Sequence, residues 1–389
     1  MNCLTNFSFR KNKIFFKKTK KNILLIVKKS PNEIDWILPL LHNAKKKYNI
    51  ITIFKENSLY ERLKNNKKLF SLWENLSCYY TFHPTFRCFG LRILTKFFNK
   101  LNLKNNLNTT LNKTYYDFNN FQNCFKKETK LIDFKLEFNS LFIGIHNQSY
   151  WPEIIKKNNP KVKIFAFPEQ ISFSENKIRK KIKIDQSKNI ILVHSKKHLR
   201  SLKRIFIIQK YKLVYYPKYT RKWLNIIIKK NKTNKNQILI VFKGYDRNIN
   251  IKSKYKDQII ELLNFAKKHK LKLLFNVHPY TKKHYLKNII YSHQYKFTKF
   301  SKNSLLQDIH DSGCVLNIYS SNTILDCIAL KKIPYELWNI KKNDFSVYKN
   351  KYSYHLKNAV LLKDILDKKK ASKFKFNDFF GKKNFINLF

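Results

Sequence analysis

Two short polar segments in the C-terminal half of the sequence carry side chains that could bind a phosphate group. His278-Pro279 follows the apolar run Leu271–Val277, and Ser320-Ser321-Asn322 follows a second apolar run, Cys314–Tyr319. An apolar run that stops at a proline or a polar turn is typical of a buried strand. The imidazole of His278 and the serine hydroxyls can donate hydrogen bonds to phosphate oxygens. The two segments therefore predict a phosphate site at two strand ends.

A helix is predicted directly after the serines. Ser320 and Ser321 are favourable N-cap residues, and a helix N-terminus attracts anions through its unpaired N–H groups and its dipole. The apolar residues that follow recur at helical spacing: Ile324, Leu325, Ile328 and Ala329. Asp326 lies on the same helix, where its carboxylate could accept hydrogen bonds from a ribose diol. Strand, turn, helix and a further strand from Ile333 form one predicted βαβ unit that could cradle a nucleotide monophosphate or diphosphate.

Each of these features also occurs without a ligand. A serine turn caps many helices, and a histidine after a strand is often an ordinary surface residue. Their order on consecutive βα units is what favours the binding interpretation.

A third predicted strand, Gln237–Phe242, ends at a basic turn that contains Lys243, Gly244 and Arg247. Glycine lets the backbone come close to a phosphate, and the two cations could neutralise its charge. A simple turn would account for the same residues equally well.

The N-terminal half begins with the β-α-β pattern of a parallel sheet and later places polar residues after two further strands. The predicted strand Ser140–Ile145 is followed by His146, and the predicted strand Val162–Phe167 is followed by Pro168-Glu169. Open α/β sheets bind their ligands at the carboxyl ends of the strands. His146 and Glu169 are therefore the candidates for a catalytic base, while a surface loop would also explain both residues.

His83-Pro84 repeats the dipeptide His278-Pro279 in a different setting. Residues 57–130 carry aromatic stripes typical of helices, and no strand is evident before His83. We interpret this pair as part of a loop without a role in the site.

The order of the C-terminal motifs resembles GT-B glycosyltransferases. The resemblance rests on His278-Pro279, on Ser320-Ser321 with the acidic helix that follows, and on the Lys331–Pro334 loop, and it covers mainly residues 213–337. The motifs are similar to those of bacterial capsule and lipooligosaccharide enzymes of the sialyltransferase-like and Kdo-transferase-like kinds, and of CDP-glycerol-type polyol-phosphate polymerases. The resemblance implies that the C-terminal half binds the nucleotide part of an activated donor.

We predict an α/β protein with two Rossmann-like domains facing a cleft, the arrangement of the GT-B fold. The 389 residues suffice for two domains with a core each. The predicted parts are a basic N-terminal tail over 1–21, an acceptor domain over 22–212, a linker over 213–236, a nucleotide-donor domain over 237–360 and a C-terminal tail over 361–389. In GT-B folds such a tail often crosses back to the first domain.

The net charge of +57 would ordinarily suggest a nucleic-acid-binding protein. However, only nine of the 81 basic residues are arginine, and the lysines are spread along the whole chain together with many Asn, Ile and Phe residues. These residues have A- and T-rich codons, so genome composition explains most of the excess. Nucleic acid is therefore not the expected partner.

Other classes of protein lack their signatures here. The sequence has no GxGxxG and no P-loop lysine motif, and its six cysteines form no CxxC pair. Dehydrogenases, P-loop NTPases, zinc ribbons and redox motifs are thereby disfavoured, and no metal site is expected. No apolar run is long enough to span a bilayer. The first 22 residues mix phenylalanines with lysines, and they could lie on an anionic membrane face or form a solvated tail.

The predicted function is glycosyl transfer from a nucleotide-activated donor to an acceptor hydroxyl in cell-surface polysaccharide, either capsule or lipopolysaccharide. The enzyme would need no cofactor and would work in the cytoplasm or on the cytoplasmic face of the inner membrane. Its partners would be the nucleotide sugar, a glycan or glycolipid acceptor and an anionic membrane surface. Three alternatives are a CDP-glycerol-type polyol-phosphate transferase, a nucleotide-sugar epimerase, for which we would expect more acidic residues near the cleft, and a non-enzymatic nucleic-acid binder.

Overall fold

The computed structural model describes most of the chain in separate segments. These are residues 7–28, 32–82, 118–145, 151–168, 183–229, 231–242, 251–277, 283–293, 295–318, 323–337 and 354–356. Backbone contacts divide these residues into two compact units, and the division falls between Lys218 and Tyr219. Each unit is built on its own large, mainly parallel sheet.

The first domain alternates strands and helices. Its strands are β1 (Phe9–Lys11), β2 (Lys21–Val27), β3 (Tyr48–Phe54), β4 (Tyr79–Phe82), β5 (Ser140–Gly144), β6 (Lys163–Phe167), β7 (Ile184–Asp185), β8 (Ile190–Val193), β9 (Phe206–Ile207) and β10 (Lys210–Leu213). Its helices are α1 (Asn32–Ala44), α2 (Asn57–Asn65), α3 (Lys67–Glu74), α4 (Phe118–Thr129), α5 (Trp151–Asn158) and α6 (Lys196–Lys203). A 3₁₀ turn, Pro217–Tyr219, spans the boundary between the two units.

The large sheet of the first domain has the strand order β1-β4-β3-β2-β5-β6-β8-β10, and β7 pairs with β9 separately. Neighbouring strands in the large sheet are parallel except for the edge pair of β1 and β4. The residues from Asn22 to Val27 in the central strand β2 are all buried. This is the pattern of a strand that helices cover on both faces.

The second domain repeats the alternation. Its elements are α7 (Arg221–Ile227), β11 (Asn234–Phe242), α8 (Ile251–Lys268), β12 (Lys272–Val277), α9 (Lys283–Ser292), β13 (Thr298–Phe300), α10 (Leu305–Asp311), β14 (Ser312–Ile318), α11 (Thr323–Ala329), β15 (Pro334–Leu337) and β16 (Tyr354–Leu356). The strand order is β13-β12-β11-β14-β15-β16, and each pair is parallel.

Helices cover both faces of the second sheet. On one face, Ile259 of α8 packs in a core with Ile240 of β11. On the other face, Ile309 of α10 and Cys327 of α11 pack with Val241. Ile240 and Val241 are consecutive in β11, so their side chains point to opposite faces of the sheet. The prediction of two Rossmann-like α/β domains is confirmed.

The prediction of a basic tail over residues 1–21 is wrong for the described part, which begins at Phe7. Phe9–Lys11 form the edge strand β1, and both Phe7 and Phe9 are buried. The Phe7 ring lies 5.0 Å from the Phe121 ring, and the Phe9 ring lies 5.2 Å from the Phe125 ring. Burying a phenylalanine side chain stabilises a fold by roughly 1.5–3 kcal/mol. The exposed side chains of Arg10 and Lys11 keep their charges in water, so the strand gains this burial without losing their solvation.

The predicted linker over 213–236 also contains regular structure. Helix α7 buries Trp223 and Ile227, and the Thr220 hydroxyl caps it by accepting a hydrogen bond from the Trp223 N–H at 3.3 Å. Strand β11 begins at Asn234, before its predicted start at Gln237. The segment predicted as a linker is thus partly helix and partly strand.

The expectation that no strand precedes His83 is wrong. His83 directly follows β4, which pairs in parallel with β3. The four-residue run Tyr-Tyr-Thr-Phe of β4 is too short to be distinguished by periodicity from the helical stretches around it. His83 itself lies outside the described residues, as does the predicted C-terminal tail over 361–389.

Candidate functional site

The strands of the second sheet end level with one another. Val277 of β12 pairs with Phe242 of β11, Phe242 pairs with Ile318 of β14, and Ile318 pairs with Leu337 of β15. Neighbouring parallel strands lie about 4.8 Å apart. The carboxyl ends of these four strands therefore lie side by side at one edge of the sheet.

The strand order reverses within this edge. From β11 the chain continues to β12 and β13 on one side, and it then returns to β14, β15 and β16 on the other side. The two directions of crossover place helices on opposite faces, which leaves a crevice outside the carboxyl ends of β11 and β14. In open α/β sheets this switch point is where ligands bind.

The predicted nucleotide-binding segments follow the strands at this switch point in sequence. Lys243, Gly244 and Arg247 come after β11, Ser320-Ser321-Asn322 come after β14, and His278-Pro279 come after the neighbouring strand β12. These segments lie outside the described residues. The structure thus establishes the strand ends that precede them in sequence, and their roles stay predictions.

The first sheet has a corresponding switch point between β2 and β5. Its hydrogen-bond ladder continues past β5, because the Ile145 N–H donates to the carbonyl oxygen of Phe167 at 2.7 Å. His146 follows Ile145, and Glu169 comes shortly after Phe167. The two candidate bases therefore follow adjacent parallel strands, and both lie outside the described residues.

Asp326 is the predicted site residue that the structure describes, and it is buried on α11. The Tyr219 hydroxyl donates a hydrogen bond to its Oδ1 atom at 2.8 Å. This bond ties α11 to the 3₁₀ turn at the start of the second domain. Sequence reasoning missed Tyr219, because the two residues are far apart in the chain and share no motif. The ribose contact proposed for Asp326 stays a prediction.

One residue before the strand ends, four paired residues form a row across the sheet, and three of them are polar. Val241 pairs with both Asn276 and Asn317, and Asn317 pairs with Glu336. Residues in one row of a parallel sheet point to the same face, which here is the face covered by α10 and α11. Asn317 and Glu336 are fully buried. The Asn317 side chain donates to the carbonyl oxygen of Tyr335 at 3.3 Å.

Asp308 of α10 ties the end of β12 to this face. Its Oδ2 atom accepts hydrogen bonds from the Asn276 side chain at 2.8 Å and from the Ser301 hydroxyl at 2.5 Å. Burial raises the pKa of the Asp308 carboxyl, and these hydrogen bonds oppose the rise. Because Asn276 stands shortly before His278, the network holds the strand end from which the predicted phosphate ligand follows. Apolar periodicity gave no signal for these polar residues.

His194, directly after β8, and His198 on α6 are both buried in the first domain. The Trp36 Nε1–H donates to His194 Nε2 at 3.0 Å, so the ring carries its proton on Nδ1, which donates to the carbonyl oxygen of Tyr215. Burial lowers the pKa of His194 well below its usual value and that of His198 to about 4. Both rings are therefore neutral near pH 7, and both nitrogens of His194 are engaged.

No model of a known protein family matches the sequence, and no curated protein matches it. Solved structures do match. The UDP-GlcNAc 2-epimerase from Methanocaldococcus jannaschii has a TM-score of 0.56 at 13% identity, over 93% of this chain and 97% of that chain. A further UDP-N-acetylglucosamine 2-epimerase has a TM-score of 0.52 at 8% identity, over 90% and 88%. The complex of S. aureus MnaA with UDP has a TM-score of 0.51 at 10% identity, over 90% and 89%.

These matches extend over both domains, and the epimerases are GT-B proteins. The chain has the GT-B fold. At these identities the likeness concerns the fold alone, which confirms the GT-B resemblance seen in the sequence at that level.

None of the helices among the described residues combines the length and the apolar character needed to cross a bilayer. Within the same segments, no three or more His, Cys, Asp or Glu side chains are grouped in a way that could hold a metal ion.

Proposed function

We propose that the protein is an enzyme acting on a nucleotide-activated sugar, and that it is a glycosyltransferase. The observation that carries this proposal is the level edge of β12, β11 and β14 at the switch point of the second sheet. The sequence continues from this edge into a lysine-glycine turn, a histidine and a pair of serines. Cationic, imidazole and hydroxyl donors at one sheet edge suit the phosphates of a nucleotide diphosphate.

The second domain would bind the donor. Lys243 and Arg247 would neutralise the phosphates, Ser320-Ser321 would donate hydroxyl hydrogen bonds, and Asp326 would receive the ribose hydroxyls. His278 would donate a hydrogen bond to a phosphate oxygen and so stabilise the charge that grows on the leaving nucleotide.

The first domain would bind the acceptor. Either His146 or Glu169 would take the proton from the acceptor hydroxyl as its oxygen bonds to the anomeric carbon and the bond from that carbon to the phosphate oxygen breaks. No cofactor or metal enters this proposal, because cationic and hydroxyl groups carry the phosphate charge. An acceptor among cell-surface glycans or glycolipids is supported by the resemblance to capsule and lipooligosaccharide enzymes.

A second candidate is epimerisation of a nucleotide sugar. It is favoured by the solved structures named above, of which two are UDP-GlcNAc 2-epimerases and one contains UDP. Both candidates predict a nucleotide-sugar site at the same edge, and they differ in what happens to the sugar.

The two candidates are separated by incubating the protein with UDP-GlcNAc alone and then with glycan acceptors. A transferase leaves UDP-GlcNAc intact when no acceptor is present and releases UDP when an acceptor is added. An epimerase changes the configuration at one sugar carbon without any acceptor, which proton NMR of the sugar detects. A changed configuration without an acceptor would overturn the transferase proposal.

A further inference from the structure

The first domain exposes two large apolar side chains at the amino ends of its strands. Phe15 is 70% exposed and Ile132 is 74% exposed. Phe15 lies in the loop between β1 and β2, and Ile132 lies in the loop between α4 and β5. An exposed phenylalanine or isoleucine is ordinary when it stands alone, whereas several on one surface indicate an interaction site.

The two loops contact each other. Phe16, next to Phe15, places its ring 5.3 Å from the ring of Phe134, which belongs to the loop that carries Ile132. Phe16 also lies 5.5 Å from the ring of Phe125 in the core, so it anchors both loops to the domain. We call the surface formed by residues 10–21, 45–47 and 130–135 the amino-end face.

The amino-end face is strongly basic on one side. Residues 10–21 contain seven basic residues and no acidic one. Lysines 45–47 adjoin them, because the Lys20 ammonium donates to the carbonyl oxygen of Lys45 at 2.8 Å. Acidic groups also face this surface: Glu74 pairs with Lys13 at 3.0 Å, Asp133 is exposed beside Ile132, and Glu137 pairs with Lys135 at 3.0 Å. The positive charge of the amino-end face therefore comes from residues 10–21 and 45–47.

The loop that carries Phe15 is held firmly by the sheet. The Lys17 N–H donates to Asn49 Oδ1 at 3.0 Å, and the Asn49 side chain donates back to the carbonyl oxygen of Lys17 at 2.8 Å. The Asn12 N–H donates to the carbonyl oxygen of Cys78 at 2.9 Å. Because these bonds fix the backbone on both sides of Phe15, little conformational freedom is lost when its side chain enters a partner.

We propose that the amino-end face docks on the surface of an anionic lipid bilayer. Phe15 and Ile132 enter the boundary between headgroups and acyl chains, while the surrounding lysines contact anionic headgroups. Nucleic acid is the other polyanion that could attract this charge. It is disfavoured because Ile132 has no ring to stack on a base, and because lysine is less suited than arginine to bidentate phosphate contacts.

This face lies at the end of the sheet opposite to the carboxyl ends that precede His146 and Glu169. Strand β2 has seven residues, so the two ends are about 23 Å apart. Docking would leave the carboxyl edge open, and the inference does not depend on the proposed activity.

The test is co-sedimentation with vesicles of phosphatidylcholine, with and without about 30% phosphatidylserine, at low salt. Each lysine near an anionic membrane surface changes the partition of a protein between water and membrane by about fivefold. The variant K17Q/K18Q/K46Q/K47Q should therefore lose binding to the anionic vesicles by about a hundredfold or more. The variants Phe15→Ala and Ile132→Ala should each bind the anionic vesicles about tenfold more weakly.

The second domain supplies matched controls. The variant K267Q/K268Q/K272Q/K296Q removes the same number of exposed charges, and Phe297→Ala removes a phenylalanine that is 54% exposed. Both controls should change binding by less than about twofold, and unchanged melting temperatures establish that all variants fold. Equal losses in the two lysine variants would overturn the proposal. It would also be overturned if Phe15→Ala and Ile132→Ala had no effect while the amino-end lysine variant lost binding to duplex DNA.

Discussion

At the scale of single residues, burial and hydrogen bonding prevent His194 and His198 from exchanging protons near pH 7. His194 is stacked 4.0 Å from the Tyr216 ring, accepts from Trp36 and donates to the backbone at Tyr215. Its neighbour His198 accepts a hydrogen bond at Nδ1 from the backbone N–H of His194 at 3.2 Å. A proton added to either accepting nitrogen would break the hydrogen bond at that nitrogen. These two histidines are therefore fixed parts of the first domain rather than proton carriers.

The first prediction is that the first domain loses stability as the pH falls from about 6.5 towards about 4. In the unfolded chain His198 takes up a proton near its ordinary pKa of 6.5, whereas in the folded domain its pKa is about 4. Protonation between these values favours the unfolded chain, and His194 acts in the same direction. The measurement is the urea midpoint at about pH 7 and about pH 5.

A variant can assign this dependence to one residue. His198→Asn keeps an acceptor for the His194 N–H and removes the titration, so its urea midpoint should depend less on pH. His293→Asn, at the end of α9 in the second domain, should keep the dependence of the unmodified protein. If His198→Asn were as sensitive to acid as the unmodified protein, the assignment would be wrong.

The second prediction concerns His278. Replacing it with alanine should lower turnover of the nucleotide sugar by about a hundredfold or more, since a hydrogen bond to the leaving phosphate is lost in the transition state. Ser320→Ala or Ser321→Ala should act mainly on donor affinity, by about 1 kcal/mol. Steady-state kinetics with varied donor separates the two effects.

The matched control for His278→Ala is His293→Ala. His83 is unsuitable as a control, because it follows strand β4 at a carboxyl end of the first sheet. His293 instead caps the C-terminal end of α9, where its Nδ1 atom lies 2.9 Å from the Ile289 carbonyl oxygen. The variant should keep nearly full activity. Loss of activity in His293→Ala but not in His278→Ala would remove His278 from the mechanism.

At the scale of elements, the second sheet depends on one close approach between strands. Strands β11 and β14 change register between Asn234 and Ile238, which brings Gly313 against the backbone of Lys235. A Cβ atom at residue 313 would lie 2.4 Å from the carbonyl oxygen of Lys235. This oxygen belongs to the backbone and cannot rotate away, so only glycine fits here without moving a strand.

The third prediction follows from that contact. Gly313→Ala should lower the free energy of unfolding of the second domain by about 1–3 kcal/mol, as overpacked substitutions do. Chemical denaturation measures the change, and Asn264→Ala on the exposed side of α8 serves as the control, within about 0.5 kcal/mol of the unmodified protein. Equal stabilities of the two variants would contradict the close approach.

At the scale of the whole molecule, apolar runs predict the central strands of both sheets. The predicted strands at Ser140–Ile145, Gln237–Phe242 and Leu271–Val277 each match an observed strand to within a residue or a few. Short runs that are mostly apolar are typical of strands buried on both faces, and such strands need helices around them. This pattern also made the two-domain α/β class predictable.

The parts that were missed depend on contacts between distant residues. Strands β1 and β13 have three residues each and contain lysine, so only their pairing with a neighbouring strand identifies them. Two further features were missed for the same reason: the hydrogen bond from Tyr219 to Asp326 and the hydrogen bonds of Asp308. They join residues that are far apart in the chain and share no sequence motif. The residues predicted to touch the donor follow the observed strand ends in sequence, and their roles await experiment.

The most direct test of the proposed donor site is hydrogen–deuterium exchange with and without UDP, read by mass spectrometry. A nucleotide at the switch point of the second sheet should slow exchange in peptides that contain the ends of β11, β12 and β14, together with the segments that follow them, since ligand binding suppresses local opening. Peptides from β2 and β5 should change much less, because they belong to the domain assigned to the acceptor. Protection confined to the first domain, or none with UDP, CDP, CMP or GDP, would contradict a donor site at this edge.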